Sequence, residues 1–173
     1  NPPSTLDNAK INNLVVDSKR PTVLGMTLSD RRLIIGDTSI LTITFSEATG
    51  NSVTDLIGAT PGNGLLAYDA TKFTIATAAG QGLNNDNTIF TATITPQPNV
   101  TERNSISIVL SGYRDVLGNI ASTDGNAIVE VVDTVAPTCS FNLLDNLPTI
   151  KKGSHADFFL QFSETLDITS LPN

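Results

Sequence analysis

The chain has 173 residues, of which 39% are hydrophobic, and its 10 basic and 17 acidic residues give a formal net charge of −7 at pH 7. The apolar fraction is sufficient for a folded core, whereas the acidic balance argues against a nucleic-acid partner, because phosphates require a basic binding face. A single cysteine excludes an internal disulfide, and no apolar run approaches the length of a membrane span.

Alternating apolar and polar residues predict a series of short β-strands. The strands are separated by turns rich in Gly, Asn, Asp and Ser, and helical periodicity is absent. In chain order the predicted strands are residues 8–16, 22–28, 39–45, 53–57, 72–77, 88–95, 105–110 and 127–132. The seven strands from residue 22 onward predict an all-β, immunoglobulin-like β-sandwich, since a jelly roll would normally need more residues.

The core of this sandwich should consist mainly of aliphatic side chains. Aromatic residues make up only 5% of the chain, and Trp is absent. Alternation identifies the two faces of a strand, but it does not decide which face is inward in every strand. The predicted core includes Leu41, Ile43, Phe45, Ile89, Ile94, Ile106, Ile108 and Val131.

Two sequence motifs occur twice in the chain. VVDSKRPTV at residues 15–23 returns as VVDTVAPTC at residues 131–139. ITFSEA at residues 43–48 returns as LQFSET at residues 160–165. The order of the two motifs is kept, which indicates an internal repeat rather than two chance matches.

The separation of the motifs is also nearly constant. Pro21 and Pro137 are 116 residues apart, and Glu47 and Glu164 are 117 residues apart. A shared offset of this size predicts tandem domains, each about as long as one β-sandwich. The predicted units are the last strand of a preceding repeat at residues 1–17, a complete repeat at residues 18–133, and the first part of a following repeat at residues 134–173.

The predicted topology gathers three carboxylates at one pole of the complete repeat. Asp17 precedes the first strand, Glu47 follows the second, and Asp115 follows the sixth. In an immunoglobulin-like sandwich these three strand ends lie at the same pole. Carboxylates that lie close together repel one another unless a cation intervenes. Calcium accepts carboxylate, amide and carbonyl oxygens in irregular geometry, so we predict a Ca²⁺ site to which Asn119 contributes its amide.

The second joint carries Asp133 and Glu164 at the corresponding positions, so we predict that they belong to a second metal site. The loop equivalent to residues 113–119 would lie beyond Asn173, so that site would be incomplete in this chain. Zinc is disfavoured, because His155 and Cys139 are the only soft ligands and lie outside the acidic cluster. The alternative interpretation is that these acidic residues are separate turn residues on a solvated pole.

At these motifs the chain resembles the bacterial immunoglobulin-like repeats of giant surface adhesins. The resemblance rests on VVDSKRPTV, the Gly36-Asp37-Thr38 turn, ITFSEA, YRDVLGN and the repeated VVDTVAPT, in this order. It implies an extracellular or cell-surface stalk of tandem repeats, with neighbouring repeats as partners and calcium often stiffening the joints. One departure is the joint Ser18-Lys19-Arg20-Pro21, which places two cations beside the predicted metal site.

Two other functions remain open. The chain could be a subunit of an extracellular filament joined by strand complementation. It could also be a carbohydrate- or protein-binding module, which should show an exposed aromatic cluster or a concave pocket. No enzyme is predicted: the only histidine, His155, is expected in a surface turn, and a glycosidase would normally need aromatic platforms for its sugar. The sequence does not indicate a receptor.

Overall fold

The computed structural model describes residues 16–102, 105–143, 152–153, 155 and 157–165. These ranges form short strands and one five-residue helix, which confirms the all-β, immunoglobulin-like fold. The elements are β1 (Val23–Leu28), β2 (Arg32–Ile34), β3 (Ser39–Phe45), α1 (Val53–Ile57), β4 (Leu66–Ala67), β5 (Phe73–Ala76), β6 (Gly82–Leu83), β7 (Ile89–Pro96), β8 (Thr101–Glu102), β9 (Ile106–Leu110), β10 (Gly125–Val129), β11 (Val131–Asp133), β12 (Cys139–Leu143) and β13 (Phe158–Phe162).

Two antiparallel sheets enclose the core of the repeat. One sheet has the order β1-β3-β7-β5, with β6 on the same edge of β7 as β5, and the other has the order β10-β9-β4. Apart from the short β6, four strands face three, which is the arrangement of a seven-stranded immunoglobulin sandwich. A small sheet, β2-β11-β8, contains the parallel pair of β11 and β2.

The two ends of this sandwich are named here by the path of the chain. At the entry pole β1 begins and β3 ends, because Val23 pairs with Phe45. At the exit pole β3 begins and β7 ends, because Ser39 pairs with Ile94. The strand β11, which pairs with β2, leads the chain out at the exit pole.

The core prediction is confirmed for most of its residues and wrong for Ile89. In β7 the inward residues include Phe90 and Ile94, so Ile89 points to the opposite face and is 38% exposed. Ile106 is half-buried, and the side chain of Val131 is outside the described part of the structure. The predicted core residues that are buried are Leu41, Ile43, Phe45, Ile94 and Ile108.

The predicted strand at residues 53–57 is wrong, because this segment forms α1 (Val53–Ile57). The backbone N–H of Asp55 donates to Ser52 Oγ at 3.1 Å, and the backbone N–H of Ser52 donates to Asp55 Oδ2 at 2.8 Å. This reciprocal capping box satisfies N–H groups that a helix start leaves free. The single turn then buries Leu56 completely, which a polar loop would not do.

The last predicted strand of the repeat, residues 127–132, is two strands. β10 pairs with β9, whereas β11 pairs with β2 and β8. The change of sheet occurs at Glu130, whose backbone N–H donates to Arg31 O at 2.7 Å. The predicted strand at residues 8–16 lies outside the described residues except for Val16, so it stays a prediction.

The hairpin of β12 and β13 repeats the pairing of β1 and β3. Cys139 pairs with Phe162 in an antiparallel register, as Val23 pairs with Phe45. The two pairs are related by the offsets that the sequence motifs show. The second copy of the motifs therefore adopts the same local strand pairing as the first.

The hydrogen bonds at the start of the two strand pairs are also the same. The backbone N–H of Thr22 donates to Ser46 Oγ at 2.9 Å, and that of Thr138 donates to Ser163 Oγ at 2.9 Å. In return, the N–H of Ser46 donates to Thr22 O and the N–H of Ser163 donates to Thr138 O. These contacts agree with the predicted tandem repeat, whose domain boundaries stay a prediction.

Candidate metal centre

The structure brings together the three carboxylates that the topology places at the entry pole. One carboxylate oxygen from each of Asp17, Glu47 and Asp115 lies within 4.8 Å of the other two. Calcium binds oxygen at about 2.3–2.6 Å, so two of its ligands can lie about 5 Å apart. A single calcium ion can therefore contact all three side chains.

Asp115 is the fixed member of this cluster. Its side chain is 2% exposed, and its Oδ1 accepts hydrogen bonds from the backbone N–H groups of Leu117 and Asn119, both at 2.8 Å. Its Oδ2 accepts a bond from Asn119 Nδ2 at 2.7 Å. Burial raises the pKa of Asp115, but the hydrogen bonds from Asn119 and from the loop backbone outweigh burial and hold this pKa below its ordinary value. Asp115 therefore carries its negative charge at neutral pH.

Tyr113 anchors the loop that carries Asp115. Its side chain is fully buried, and its ring centroid lies 5.5 Å from that of Phe45. The hydroxyl of Tyr113 donates to Thr123 O at 3.2 Å, and Tyr113 O accepts a bond from the N–H of Ala121 at 2.8 Å. Tyr113 is thus fixed by the core and by the segment that follows the loop, and Asp115 lies only two residues after Tyr113.

A second loop, after β3, lies directly against the Asp115 loop. The backbone N–H of Gly50 donates to Arg114 O at 2.9 Å, and Thr49 Oγ1 donates to the same oxygen at 3.0 Å. A Cβ at Gly50 would overlap the carbonyl oxygen of Asp115, so only glycine permits this approach. The close contact brings the segment with Glu47 towards Asp115.

Glu47 supplies the observation that most favours a cation. Its Oε1 is buried and has no hydrogen-bond partner. Within the described residues every other buried side-chain nitrogen or oxygen atom has one. A buried acceptor without a partner costs about 1–3 kcal/mol, and more if it is charged. A cation bound at the cluster would supply the missing partner, and the set of oxygen ligands suits a hard ion such as calcium.

Asp17 connects the cluster to the segment before β1. Asp17 is exposed, its Oδ1 accepts a bond from the backbone N–H of Lys19 at 2.9 Å, and its carbonyl accepts one from Asn119 Nδ2 at 3.1 Å. Asn119 thus presents its nitrogen to Asp17 and Asp115 and positions both of them. It would become an oxygen ligand, as predicted, only after rotation of its amide group.

The two cations of the joint do not pair with the cluster. Lys19 and Arg20 are exposed. Within the described part of the chain the ion pairs are Arg31–Glu130 at 3.3 Å and Lys72–Glu102 at 3.4 Å. Among these described residues, no salt bridge therefore neutralises the carboxylates of the entry pole.

The structure does not bring Asp133 and Glu164 into a comparable cluster. Asp133 Oδ1 accepts bonds from the backbone N–H of Val135 at 3.2 Å and from Thr101 Oγ1 at 3.4 Å. Among the residues that the structure describes, neither belongs to a group of three potential metal ligands. The Asp133 turn does repeat the local geometry of Asp17, since each carboxylate accepts from the N–H two residues later.

The other features considered in the sequence analysis are the lone histidine, the lone cysteine, exposed aromatic residues and a concave pocket. His155 and Cys139 are exposed. The exposed aromatic residues belong to β12 and β13, where Phe141 and Phe158 stack at 4.8 Å. A shallow polar cavity of about 580 Å³ lies beside Arg114 and α1, and aromatic side chains are missing from its described lining.

Comparison with known proteins identifies the family. A family model described as a bacterial Ig-like domain matches residues 17–131, which is more than half of the chain. No curated protein and no solved structure matches the chain significantly. The described residues contain no helix that is long and apolar enough to cross a membrane. The matched segment coincides with the two-sheet sandwich and its entry-pole cluster, and the chain therefore belongs to the bacterial Ig-like domain family.

Proposed function

We propose that this chain is a structural repeat of an extracellular bacterial adhesin stalk, stiffened by calcium at its entry pole. The observation that carries the proposal is the buried, unpartnered Oε1 of Glu47 within the Asp17–Glu47–Asp115 cluster. Membership of the bacterial Ig-like family supports a structural, non-catalytic module. The role in a stalk, the calcium and the extracellular location are parts of the proposal.

The mechanism follows from which segments supply the ligands. Glu47 and Asp115 belong to loops that are fixed to the body of the sandwich, whereas Asp17 lies before β1 in the linker. A cation held by all three would join the linker to the body and restrict the angle between this repeat and the preceding one. Its positive charge would also reduce the repulsion among three neighbouring carboxylates.

The repeated strand pair supports an array of such units. Phe158, Leu160 and Phe162 of β13 are 59%, 51% and 40% exposed. By the offset of 117 residues they correspond to the buried core residues Leu41, Ile43 and Phe45 of β3. The second sheet of a further sandwich would cover an apolar face of this kind, which supports the proposed tandem array.

Thermal unfolding with calcium and with chelator tests the metal role. Binding to the folded state alone stabilises it by about 2.7 kcal/mol when free calcium is 100 times the dissociation constant. We expect a clearly higher Tm in calcium than in chelator, and magnesium should be a weaker stabiliser because it demands a stricter geometry. Equal Tm values in calcium and chelator would remove calcium from the proposal.

Solution scattering tests the mechanical role separately. In a protein with two intact repeats, the maximum dimension should be larger in calcium than in chelator, because the bound ion restricts bending at the joint. Equal dimensions, together with a calcium-dependent Tm, would leave the site in place and refute the stiffening.

A further inference from the structure

The two poles of the repeat carry its exposed apolar residues. Between residues 16 and 135 the described part of the chain has nine large apolar residues that are exposed, and seven of them lie in two groups, one at each pole and outside the two main sheets. Val16, Val116, Leu117 and Ile120 form the entry-pole group, Ile34, Ile35 and Val135 form the exit-pole group, and Leu24 and Ile89 lie on β1 and β7 near the entry pole. Single apolar residues scattered over a surface are normal, whereas two clusters at opposite ends mark contact surfaces.

From this distribution we infer that each pole is a docking surface for the neighbouring Ig-like repeat. The entry patch (Val116, Leu117 and Ile120) of one repeat packs on the exit patch (Ile34, Ile35 and Val135) of the repeat before it. The inference rests on the proposed function as a tandem stalk, and it adds the surfaces through which adjacent repeats touch. Such a contact is heterologous, because two different surfaces meet.

The exit patch borders a cavity at Ile35. Ile35 and Thr134 line this cavity of about 300 Å³ beside the turn at Gly36, and its lining also contains Pro96 and Pro98 together with polar residues such as Gln97. Prolines have no backbone N–H, so the two prolines of the lining offer no amide donor that would be left without a partner. β11 runs parallel to β2 with Asp133 opposite Ile34, which places the exposed Val135 on the same pole.

The entry patch is held in a defined shape before any contact forms. The N–H of Leu117 is bonded to Asp115 Oδ1, and Ile120 forms an antiparallel bridge with Arg114. Val116 and Leu117 are nevertheless 64% and 54% exposed, so the loop presents them to solvent. An apolar surface that is already ordered loses little conformational entropy on binding.

Short linkers bring the two patches of adjacent repeats together. Five residues separate the end of β11 at Asp133 from the start of β12 at Cys139, and they can span at most about 20 Å. The segment between Asp17 and β1 is equally short. A tether of this length keeps the neighbour at an effective concentration in about the millimolar range or above.

The turn at Gly36 does not itself require the two isoleucines of the exit patch. By the 117-residue offset, Ile34 and Ile35 correspond to Lys151 and Lys152 in the second unit. In the sequence two lysines thus precede the corresponding Gly153, and Ile34 and Ile35 are exposed rather than part of the core. Ile34→Lys/Ile35→Lys is therefore a disruptive variant that leaves the sandwich intact.

Disulfide trapping between two copies of the full chain tests the contact. In a Cys139→Ser background, chains with Val135→Cys are mixed at high concentration with chains carrying Leu117→Cys, in calcium and a glutathione redox buffer. The second copy stands in for the neighbouring repeat. We expect the mixed disulfide dimer to exceed the dimers of either variant alone by several-fold. Leu24→Cys replaces Val135→Cys in the control, because Leu24 is 69% exposed but lies near the start of β1, at the end of the sandwich opposite the exit patch.

Ile34→Lys/Ile35→Lys, added to the Val135→Cys chain, should reduce the mixed dimer to the level of the Leu24→Cys control. Docking is refuted if the Val135→Cys mixture gives no more mixed dimer than this control, or if the lysine variant traps as well as its parent. The unfolding temperature of the same chains in calcium and chelator reports independently on the metal. Trapping without a calcium effect supports docking and refutes the metal role, whereas a calcium effect without trapping does the reverse.

Discussion

Glu47→Gln separates the metal hypothesis from the stability of the fold. The buried Oε1 of Glu47 makes no hydrogen bond, so replacing the carboxylate by an amide of the same size removes a charge and breaks no bond at that oxygen. The new amide nitrogen is a donor beside the carboxylates of Asp17 and Asp115. In chelator the variant should therefore be as stable as the wild type or more stable, since the repulsion among the three acidic groups is reduced.

The magnitude follows from mass action. With free calcium at 100 times the wild-type dissociation constant, binding contributes about 2.7 kcal/mol to the free energy of unfolding. If the variant binds calcium 100-fold more weakly, the same concentration contributes only about 0.4 kcal/mol. For a domain of this size 1 kcal/mol corresponds to about 4 °C in Tm, so the calcium-induced shift should fall from about 10 °C to about 2 °C.

Calorimetry or circular dichroism in calcium and in chelator measures both shifts. The matched control is Glu130→Gln, which removes the same charge from a 46% exposed side chain paired with Arg31 on the surface. This control should keep the full calcium shift, because exposed ion pairs contribute little to stability. If Glu47→Gln kept the wild-type shift, Glu47 would not be a ligand, and the orphan oxygen would need another explanation.

Three further outcomes follow from the loops of the entry pole. Gly50→Ala should lower the free energy of unfolding, measured in urea, by about 1–3 kcal/mol and reduce the calcium-induced Tm shift, because its Cβ would overlap the Asp115 carbonyl. Gly25→Ala is the control and should be nearly neutral, since no atom lies within 4 Å of its Cβ. Equal effects of the two substitutions would contradict the overlap at Gly50. Tyr113→Phe should cost about 1 kcal/mol in the same assay, since the Thr123 carbonyl loses its donor, and an unchanged urea midpoint would show that this bond does not hold the loop. In chelator, Asp115→Asn should be less stable than the wild type at neutral pH. The pKa of Asp115 is lower in the folded state than in the unfolded state. The stabilisation by the Asp115 carboxylate is therefore present above the unfolded pKa of about 3.9 and is lost as the pH falls through the folded pKa. If the difference in stability between wild type and variant did not depend on pH, it would not come from the charge of Asp115.

The sequence by itself determined the fold class and the location of the acidic cluster. The alternation at residues 39–45 identified β3 with its observed bounds, because a strand with one buried face needs a period of two. The predicted convergence of Asp17, Glu47 and Asp115 is observed, because the order of strands in an immunoglobulin sandwich fixes which loops share a pole. The repeated motifs predicted a second copy of the unit, and β12 and β13 of that copy pair as β1 and β3 do.

Only the tertiary structure decided the details that depend on a neighbour distant in sequence. Ile89 and Ile94 look alike in the sequence, but the opposite sheet covers only the face of β7 that carries Ile94. Ser52 and Asp55 form a capping box and the turn buries Leu56, and together these contacts make the segment at residues 53–57 a helix instead of the predicted strand. Whether Glu47 finds a hydrogen-bond partner depends on how closely the loop at Gly50 approaches the loop of Asp115. Such contacts join residues far apart in the chain, and local periodicity carries no information about the distance between them.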